Sequence, residues 1–283
     1  MIIKTSRQLK DKVSNLSGND SKKAQTLIRK YMMERFLARV ACSEYKNNFV
    51  LKGGMLVSAL VGVEARSTMD IDTTVRMLPL TKDSAVKVIS EIMETDLDDG
   101  ISCEIKKVEE IMEEHDYSGV RLTVAVTLEN LRDTIKINIS TGDEITPSAI
   151  EFSYPTMFDD EKLDIWSYNI ETMLAEKLET VIARSTLNTR MRDFYDIHIL
   201  WSEKADMINI ETLRGAIVNV ARKRGTLELF DNTDDILNDI KESDHLRNNW
   251  YNYKKSNYYV GDLEWADVLE TTVNVLKNGI LRH

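Results

Sequence analysis

Proline and glycine are scarce in this sequence: three prolines and eleven glycines occur among 283 residues. Segments that stay disordered in water are usually poor in apolar residues, whereas 42% of this chain is hydrophobic. The composition therefore argues against long disordered linkers. The chain is long enough for one large domain or two ordinary domains with buried cores.

Cysteine is also rare, and long apolar runs are missing. Cys42 and Cys103 lie far apart and do not have the spacing of metal ligands. No apolar run is long enough to cross a bilayer, and the first residues lack the apolar stretch of a signal peptide. These absences favour a reduced, cytoplasmic protein without a membrane partner.

An excess of positive charge is absent as well. The formal net charge is -10, which argues against broad, non-specific binding of nucleic acid. A local basic groove that acts on RNA remains compatible with this total.

Residues 49–75 contain the most informative pattern. A short apolar strand predicted at 49–51 meets the glycine pair Gly53 and Gly54, and an apolar helix follows. Because glycine has no Cβ, the backbone amides can approach a phosphate closely, and a helix N-terminus adds a positive dipole. The pattern is typical of a phosphate cradle.

Asp70 and Asp72 lie in a second predicted strand at 70–77. Alternation along a strand places both carboxylates on one face and Ile71 on the other. Carboxylates held side by side repel unless a cation lies between them, and Mg²⁺ binds both such oxygens and substrate phosphates. Asp70 and Asp72 are therefore predicted metal ligands, and with the glycine pair they indicate nucleotidyl transfer.

A third carboxylate is missing where nucleotidyltransferases often have one. The neighbouring strand, predicted at 133–139, presents Asn138 instead. An amide can accept a hydrogen bond or ligate a metal through its oxygen, but it cannot act as a base at neutral pH. Asn138 is thus either a site residue of altered chemistry or a structural residue that bonds the backbone. The general base stays unassigned.

Lys177 lies on the apolar face of a helix predicted at 170–184, between Leu174 and Val181. An unpaired ammonium group would be costly there, so Lys177 requires a carboxylate or a phosphate. The alternative is that its long stem carries the charge to solvent.

Asp193 and Asp196 are three residues apart on one helix face. Asp196 neighbours Ile199 and Leu200, which predicts that it points inward. Arg192 and Asp193 can alternatively form a salt-bridged helix face.

The string Phe49-Val-Leu-Lys-Gly-Gly-Met-Leu, followed by Arg66-Ser-Thr-Met-Asp-Ile-Asp, resembles the AbiEii/AbiGii toxin family and is similar to the MenT toxins. The resemblance runs over roughly residues 23–200 and includes the later segments around Lys177 and Asp196. Such proteins are the toxin halves of type IV toxin–antitoxin and abortive phage infection systems. They have a DNA-polymerase-β-like nucleotidyltransferase fold.

The resemblance implies a nucleotidyltransferase that uses Mg²⁺ or Mn²⁺ and a nucleoside triphosphate, with GTP as a candidate. It implies metal binding by Asp70 and Asp72 and catalytic roles for Lys177 and Asp196. In that role Asp196 can orient Lys177, or bind the base or a second metal. The residues expected to contact the nucleotide are Gly53, Gly54, Arg66, Ser67 and Lys177. The implied acceptor is the 3′ end of tRNA, the implied outcome is growth arrest, and the implied partner is an AbiEi-like antitoxin that acts without a stable complex.

The order of predicted elements indicates an α/β (α+β) fold. We expect a DNA-polymerase-β-like nucleotidyltransferase domain with a small mixed sheet at 1–160. A mainly helical domain at 161–283 is expected to contribute Lys177 and Asp196 to the site. The remaining predicted elements are strands at 101–111 and 120–128, a loop or edge segment at 146–154, and helices at 211–223, 234–248 and 263–276.

Two other functions compete with an RNA-modifying toxin. The same fold can transfer a nucleotide to a small molecule or to a protein hydroxyl, as antibiotic adenylyltransferases do. Alternatively, Asn138 in place of a carboxylate is compatible with a nucleotide-binding regulator that lacks turnover.

Overall fold

The computed structural model describes residues 3–18, 20–113, 117–158 and 162–280. Within these ranges the chain forms seven strands and ten α-helices. The strands are β1 (Phe49–Lys52), β2 (Asp70–Val75), β3 (Ile101–Glu113), β4 (Tyr117–Leu128), β5 (Leu131–Thr141), β6 (Ile150–Pro155) and β7 (Lys162–Ser167). The helices are α1 (Ser6–Ser17), α2 (Ser21–Cys42), α3 (Gly53–Val61), α4 (Lys82–Met93), α5 (Ile170–Arg184), α6 (Met191–Lys204), α7 (Ile210–Lys223), α8 (Thr233–Glu242), α9 (Asp244–Ser256) and α10 (Trp265–Gly279).

The strands form one mixed sheet in the order β3-β4-β5-β2-β1-β7-β6. β2 pairs in parallel with β5, and β1 pairs in parallel with β7, while the other neighbours are antiparallel. β2 thus lies between β1 and β5 in the middle of the sheet. The predicted mixed α/β architecture is confirmed.

The chain divides into two compact units. The first comprises Met1–Ala59, Ser67–Asp143 and Ile150–Ser167, and the second comprises Leu60–Arg66, Glu144–Ala149 and Tyr168–His283. The predicted domains at 1–160 and 161–283, with a boundary between them at residue 160, stay a prediction.

The first unit contains the sheet, with helix α2 packed along it. Asp20 caps α2, because its side chain accepts hydrogen bonds from the backbone of Lys22 and Lys23. Met32, Met33 and Phe36 are almost fully buried on this helix. The helix contacts β5 and β7, so these side chains cover apolar strand residues.

The second unit is helical. Asn169 caps α5 by accepting a hydrogen bond from the backbone of Thr172. Helix α5 packs on α6 and α7, and α10 packs on the same two helices. Phe194 and Trp265 meet edge to face at 5.0 Å between ring centroids and join α6 to α10.

Strand β7 is the main element that the sequence analysis did not predict. It has six residues, alternates weakly and carries Lys162 and Asp164. Its place beside β1 comes from pairing: Val50 and Leu51 of β1 lie opposite Trp166 and Ser167. Strand β6, in the segment predicted as a loop or an edge, forms the outer strand next to β7.

A buried polar cluster in the first unit joins α2 to the sheet. Lys30 donates a hydrogen bond to Ser58, and its Nζ lies 3.9 Å from Glu34 Oε1. Glu34 also accepts hydrogen bonds from the backbone of Met157 and the hydroxyl of Tyr154. Burial raises the pKa of Glu34 to about 7, although Lys30 opposes the shift.

We expect Glu34 to make stability depend on pH between about 4.5 and 7. A carboxyl with a raised folded-state pKa favours the folded state at low pH, and this contribution is lost as pH rises through the folded pKa. Urea unfolding at pH 5 and pH 7.5 should give a fall of about 1–3 kcal/mol in the free energy of unfolding. Glu34→Gln should remove most of that difference, and an unchanged difference would contradict the assignment.

Candidate active site

The turn between β1 and α3 brings the backbone against a carboxylate. Gly53 has φ +67°, and a Cβ built on it would lie 2.3 Å from Oδ2 of Asp72. Only glycine permits both this backbone conformation and this contact. Helix α3 begins at Gly53, so the amides of Gly53 and Gly54 belong to a helix N-terminus, where backbone donors lack partners within the helix.

Asp70 and Asp72 occupy alternate positions of β2 and are both half-buried. They therefore lie on the same face of the sheet, while Ile71 is fully buried on the other face. Asp72 Oδ1 accepts a hydrogen bond of 2.8 Å from Nδ2 of Asn138. That bond sets the orientation of the Asp72 carboxylate.

A row of four polar side chains crosses the sheet at this level, and we call it the cross-strand row. Lys52 on β1 is paired with Asp72, Asp72 with Asn138, and Asn138 with Arg121 on β4. Directly paired residues of neighbouring strands lie on the same face. Two cations thus flank a carboxylate and an amide.

Asn138 bonds side chains and not the backbone. Its Nδ2 donates to Asp72, and its Oδ1 accepts a hydrogen bond of 2.7 Å from Nε of Arg121. The alternative of a side chain bonded to the backbone is therefore wrong. The amide thus hydrogen-bonds both the Asp72 carboxylate and the Arg121 guanidinium. An ionised carboxylate at this position could accept from Arg121 but could not donate to Asp72.

Lys52 is a buried residue that the sequence analysis missed. Its Nζ lies 2.7 Å from Oδ2 of Asp143, and Ser140 donates a hydrogen bond to the same oxygen. A lysine at the end of an apolar strand was a signal, since a buried ammonium group requires an acidic partner. The partner is 91 residues away in the sequence.

A buried ionic network lies in the second unit. Nζ of Lys177 lies 2.9 Å from Oδ1 of Asp193 and 2.7 Å from Oδ2 of Asp196. Only 11% of the Lys177 side chain is exposed, and Asp196 is fully buried. The alternative in which Lys177 extends to solvent is therefore wrong.

Arg66 and Arg190 complete this network. Arg66 forms a two-point contact with Asp196, with Nε 2.6 Å from Oδ1 and Nη2 3.3 Å from Oδ2. Arg190 Nε lies 2.6 Å from Oδ2 of Asp193. Three cations thus surround two carboxylates. Asp193 pairs with Lys177 and Arg190, and among the described residues the alternative salt bridge between Arg192 and Asp193 is not formed.

These contacts keep the network charged. Burial alone would raise the pKa of Asp193, but the charges of Lys177 and Arg190 outweigh it and lower that pKa to about 2. Burial likewise opposes the ionised form of Asp196, and Arg66 and Lys177 overcome it to lower the pKa. The pKa of Lys177 is raised because the two carboxylates outweigh its burial.

The other predicted nucleotide contact, Ser67, is half-buried in the segment before β2. Residues 250–259 contain four tyrosines, two lysines and a tryptophan, and these side chains differ in burial. Trp250 is buried, whereas Tyr251 and Tyr258 are 65% and 45% exposed. The ring of Tyr259 lies 5.9 Å from the Arg66 guanidinium.

The sequence profile described as the nucleotidyl transferase AbiEii toxin of type IV toxin–antitoxin systems matches residues 35–271. The chain belongs to this family. It is therefore a nucleotidyltransferase of the AbiEii type, a family whose members use nucleoside triphosphates and generally divalent metal ions. Membership also implies an antitoxin as partner.

Two solved structures have a similar fold. JHP933 from Helicobacter pylori matches with 16% identity and a TM-score of 0.51 over 90% of each chain. A candidate nucleotidyltransferase from H. pylori matches with 17% identity and a TM-score of 0.50, over 90% of this chain and 93% of that one. A search of curated proteins finds no match to this AbiEii-family chain. At these identities the structural likeness concerns the fold alone.

The donor set on β2 fits a divalent ion. Asp70 and Asp72 present carboxylate oxygens on one face, and such oxygens are what Mg²⁺ and Mn²⁺ bind. Among the described residues no group of three or more His, Cys, Asp or Glu is arranged to hold a metal ion. Mg²⁺ commonly takes only one or two carboxylates and completes its shell with phosphate and water, so two are sufficient here. No helix in the described part of the chain is long and apolar enough to cross a membrane.

Gly53→Ala should displace the Asp72 carboxylate, because the added Cβ would overlap it. We expect nucleotide transfer to fall by about 100-fold or more, as for the loss of one key electrostatic group. Gly225→Ala is a matched control, since Gly225 has φ +69° and no heavy atom within 4 Å of the added Cβ. The control should lose about 1 kcal/mol of stability and retain activity. Equal activity of the two variants would contradict the role of the close approach.

Asp196→Asn should destabilise the protein by about 3–5 kcal/mol, because it leaves buried cations without their partner. Asp206→Asn changes an exposed carboxylate and should alter the free energy of unfolding by less than about 0.5 kcal/mol. Urea unfolding of both variants at pH 7 measures the difference. An Asp196→Asn protein as stable as the control would rule out a structural need for this charge.

Proposed function

We propose that this AbiEii-family chain transfers a nucleoside monophosphate from a nucleoside triphosphate to the 3′ end of a tRNA and thereby arrests growth. The observation that carries the proposal is the Asp72 carboxylate held against the Gly53 backbone at the start of α3. This geometry combines a carboxylate pair for a divalent ion with backbone amides for phosphate oxygens.

The β2 carboxylates supply the metal site in this proposal. Asp70 and Asp72 would hold Mg²⁺ or Mn²⁺. The bound ion would neutralise part of the phosphate charge. Asn138 keeps Asp72 oriented through the 2.8 Å hydrogen bond. Because an amide does not titrate, Asn138 does not accept the proton of the attacking hydroxyl.

The glycine turn positions the triphosphate. The amides of Gly53 and Gly54, with the hydroxyl of Ser67, bind the β- and γ-phosphates, and GTP is the first nucleotide to test. The acceptor hydroxyl gives its proton to water, and its oxygen attacks the α-phosphate in line. A new bond to that phosphorus forms while the bond to the oxygen that bridges the α- and β-phosphates breaks, and pyrophosphate leaves. Positioning and electrostatics supply most of the rate enhancement in such a reaction.

The resemblance to the family supports two further cations for this mechanism. We assign Lys177 and Arg66 to the charge of the leaving pyrophosphate. Asp196 bonds both of them and acts as the residue that positions them. The cognate antitoxin counteracts the toxin without a stable complex, so co-expression should restore growth while the two proteins fail to co-purify.

Induced expression and purified-enzyme assays test the function together. Asp70→Asn and Lys177→Met should relieve growth arrest and reduce transfer of each labelled nucleotide to total tRNA by about 1,000-fold. Asp206→Asn should remain toxic and active, because its carboxylate is exposed. EDTA should abolish transfer, and added Mg²⁺ or Mn²⁺ should restore it.

Three outcomes would overturn the proposal. Toxicity that persists in Asp70→Asn would mean that nucleotide transfer is not the cause of arrest. Label that enters protein or a small alcohol instead of tRNA would change the acceptor. Activity that is indifferent to EDTA would remove the metal from the mechanism.

A further inference from the structure

Arg121 is a cation on the catalytic face that the assigned roles do not use. It lies on β4, directly opposite Asn138 of β5, at one end of the cross-strand row. Gly53 lies next to the other end, because β1 is the strand on the far side of β2. Neighbouring strands are about 4.8 Å apart, so β4 lies roughly 10 Å from β2 on the side away from the glycine turn.

The contacts of Arg121 hold the guanidinium in place and leave part of it available. Its Nε donates to Oδ1 of Asn138 at 2.7 Å, and the side chain is half-buried. Within the described residues, Nη1 and Nη2 have no hydrogen-bond partner and no carboxylate within 4 Å. The guanidinium therefore retains a pair of donors that suits two oxygens of one anion.

Glu109 is the nearest competitor for this charge. It is the cross-strand partner of Arg121 on β3. Its own ion pair is with Lys107, at 2.7 Å, and that hydrogen bond is the main reason why the pKa of Glu109 is lowered. Arg121 contributes less to that shift, so the main partner of Glu109 is Lys107.

The position of Arg121 explains why an amide is suitable at position 138. An aspartate at position 138 would lie within hydrogen-bonding distance of Arg121 and would form an ion pair with it. The neutral amide orients the same guanidinium without forming an ion pair with it. It also donates to Asp72, which a carboxylate cannot do.

The in-line geometry of the transfer determines on which side of Asp72 each substrate binds. The attacking and leaving groups lie on opposite sides of the phosphorus, and the proposed triphosphate cradle is on the β1 side of Asp72. The β5 and β4 side is then the acceptor side. We propose that Arg121 binds a backbone phosphate of a nucleic-acid acceptor next to the hydroxyl that attacks.

This inference rests on the proposed function and narrows it. A small alcohol or a protein hydroxyl has no neighbouring phosphate for Arg121, whereas every internucleotide linkage of RNA has one. A fixed guanidinium also binds a phosphate in one orientation, so it places the terminal ribose hydroxyl and does more than attract the chain.

Steady-state kinetics with an RNA acceptor test the assignment. Arg121→Gln should raise KM for the RNA by about 10-fold to 100-fold while KM for the nucleotide stays within about 2-fold, because one charged contact is lost on the acceptor side only. Arg121→Lys should recover only part of the loss, since lysine cannot form the two-point contact. The salt dependence of RNA binding should weaken by about one phosphate contact in Arg121→Gln.

Arg132→Gln is the matched control. Arg132 is exposed on the same face of β5, six residues from Asn138, which corresponds to roughly 20 Å along the strand. It should keep the KM for RNA of the unmodified protein. Asn138→Asp is a second probe, because the new ion pair should neutralise Arg121 and raise KM for RNA as Arg121→Gln does.

Each contrary result overturns the inference in a recognisable way. A rise in KM for the nucleotide would place Arg121 on the triphosphate side. An Asn138→Asp variant with a higher kcat and an unchanged KM for RNA would identify position 138 as the site of a base. Equal losses in Arg121→Gln and Arg132→Gln would reduce the effect to general surface charge.

Failure of the proposed function can be separated from failure of this inference. Binding of a single-stranded oligoribonucleotide, measured by fluorescence anisotropy without any nucleotide, does not depend on turnover. If the unmodified protein transfers no label to RNA, the proposed function fails, while Arg121-dependent binding still supports the contact. If transfer to RNA occurs and Arg121→Gln leaves both binding and KM unchanged, only this inference fails. Urea unfolding identifies a variant whose loss comes from instability.

Discussion

The close approach of the Gly53 backbone to the Asp72 carboxylate is the tightest constraint described on this face of the sheet. A side chain on residue 53 would overlap Asp72, and the positive φ there disfavours any residue other than glycine. The same residue begins α3, so the contact sets where the helix N-terminus lies relative to β2. A carboxylate beside free backbone amides is useful only when a cation and an anion arrive together, which is how a metal-bound triphosphate binds.

The acidic side chains have different surroundings in the two units. On the sheet, Asp70 and Asp72 are half-buried, and Asp72 accepts a hydrogen bond from the neutral amide of Asn138. In the helical unit, Asp193 and Asp196 are fully enclosed by lysine and arginine, which holds both in the ionised form. Buried ion pairs seldom add net stability, but a lone buried charge is costly. With three cations and two carboxylates, the second network keeps a local excess of positive charge in a protein whose total charge is -10.

The sequence predicted elements well where the signal was local. Apolar alternation and β-branched residues identified β3, β4 and β5, and helical periodicity identified α5 and α7. It failed where pairing or capping decided the outcome. Strand β7 was missed because its short, charged sequence gains its place from β1. The helix predicted at 234–248 is two helices, because the Ser243 side chain accepts a hydrogen bond from Leu246 and starts α9.

By itself, the sequence determined that Asp70 and Asp72 share a face and that a glycine pair precedes a helix, since both follow from periodicity and local backbone freedom. It also determined the family. Tertiary structure alone decided which groups meet Asp72 and Lys177. Arg121 and Lys52 join the row through strand register, and Asp196 meets Arg66 across 130 residues of sequence. Register and long-range ion pairs depend on how distant segments pack, and no local pattern encodes that packing.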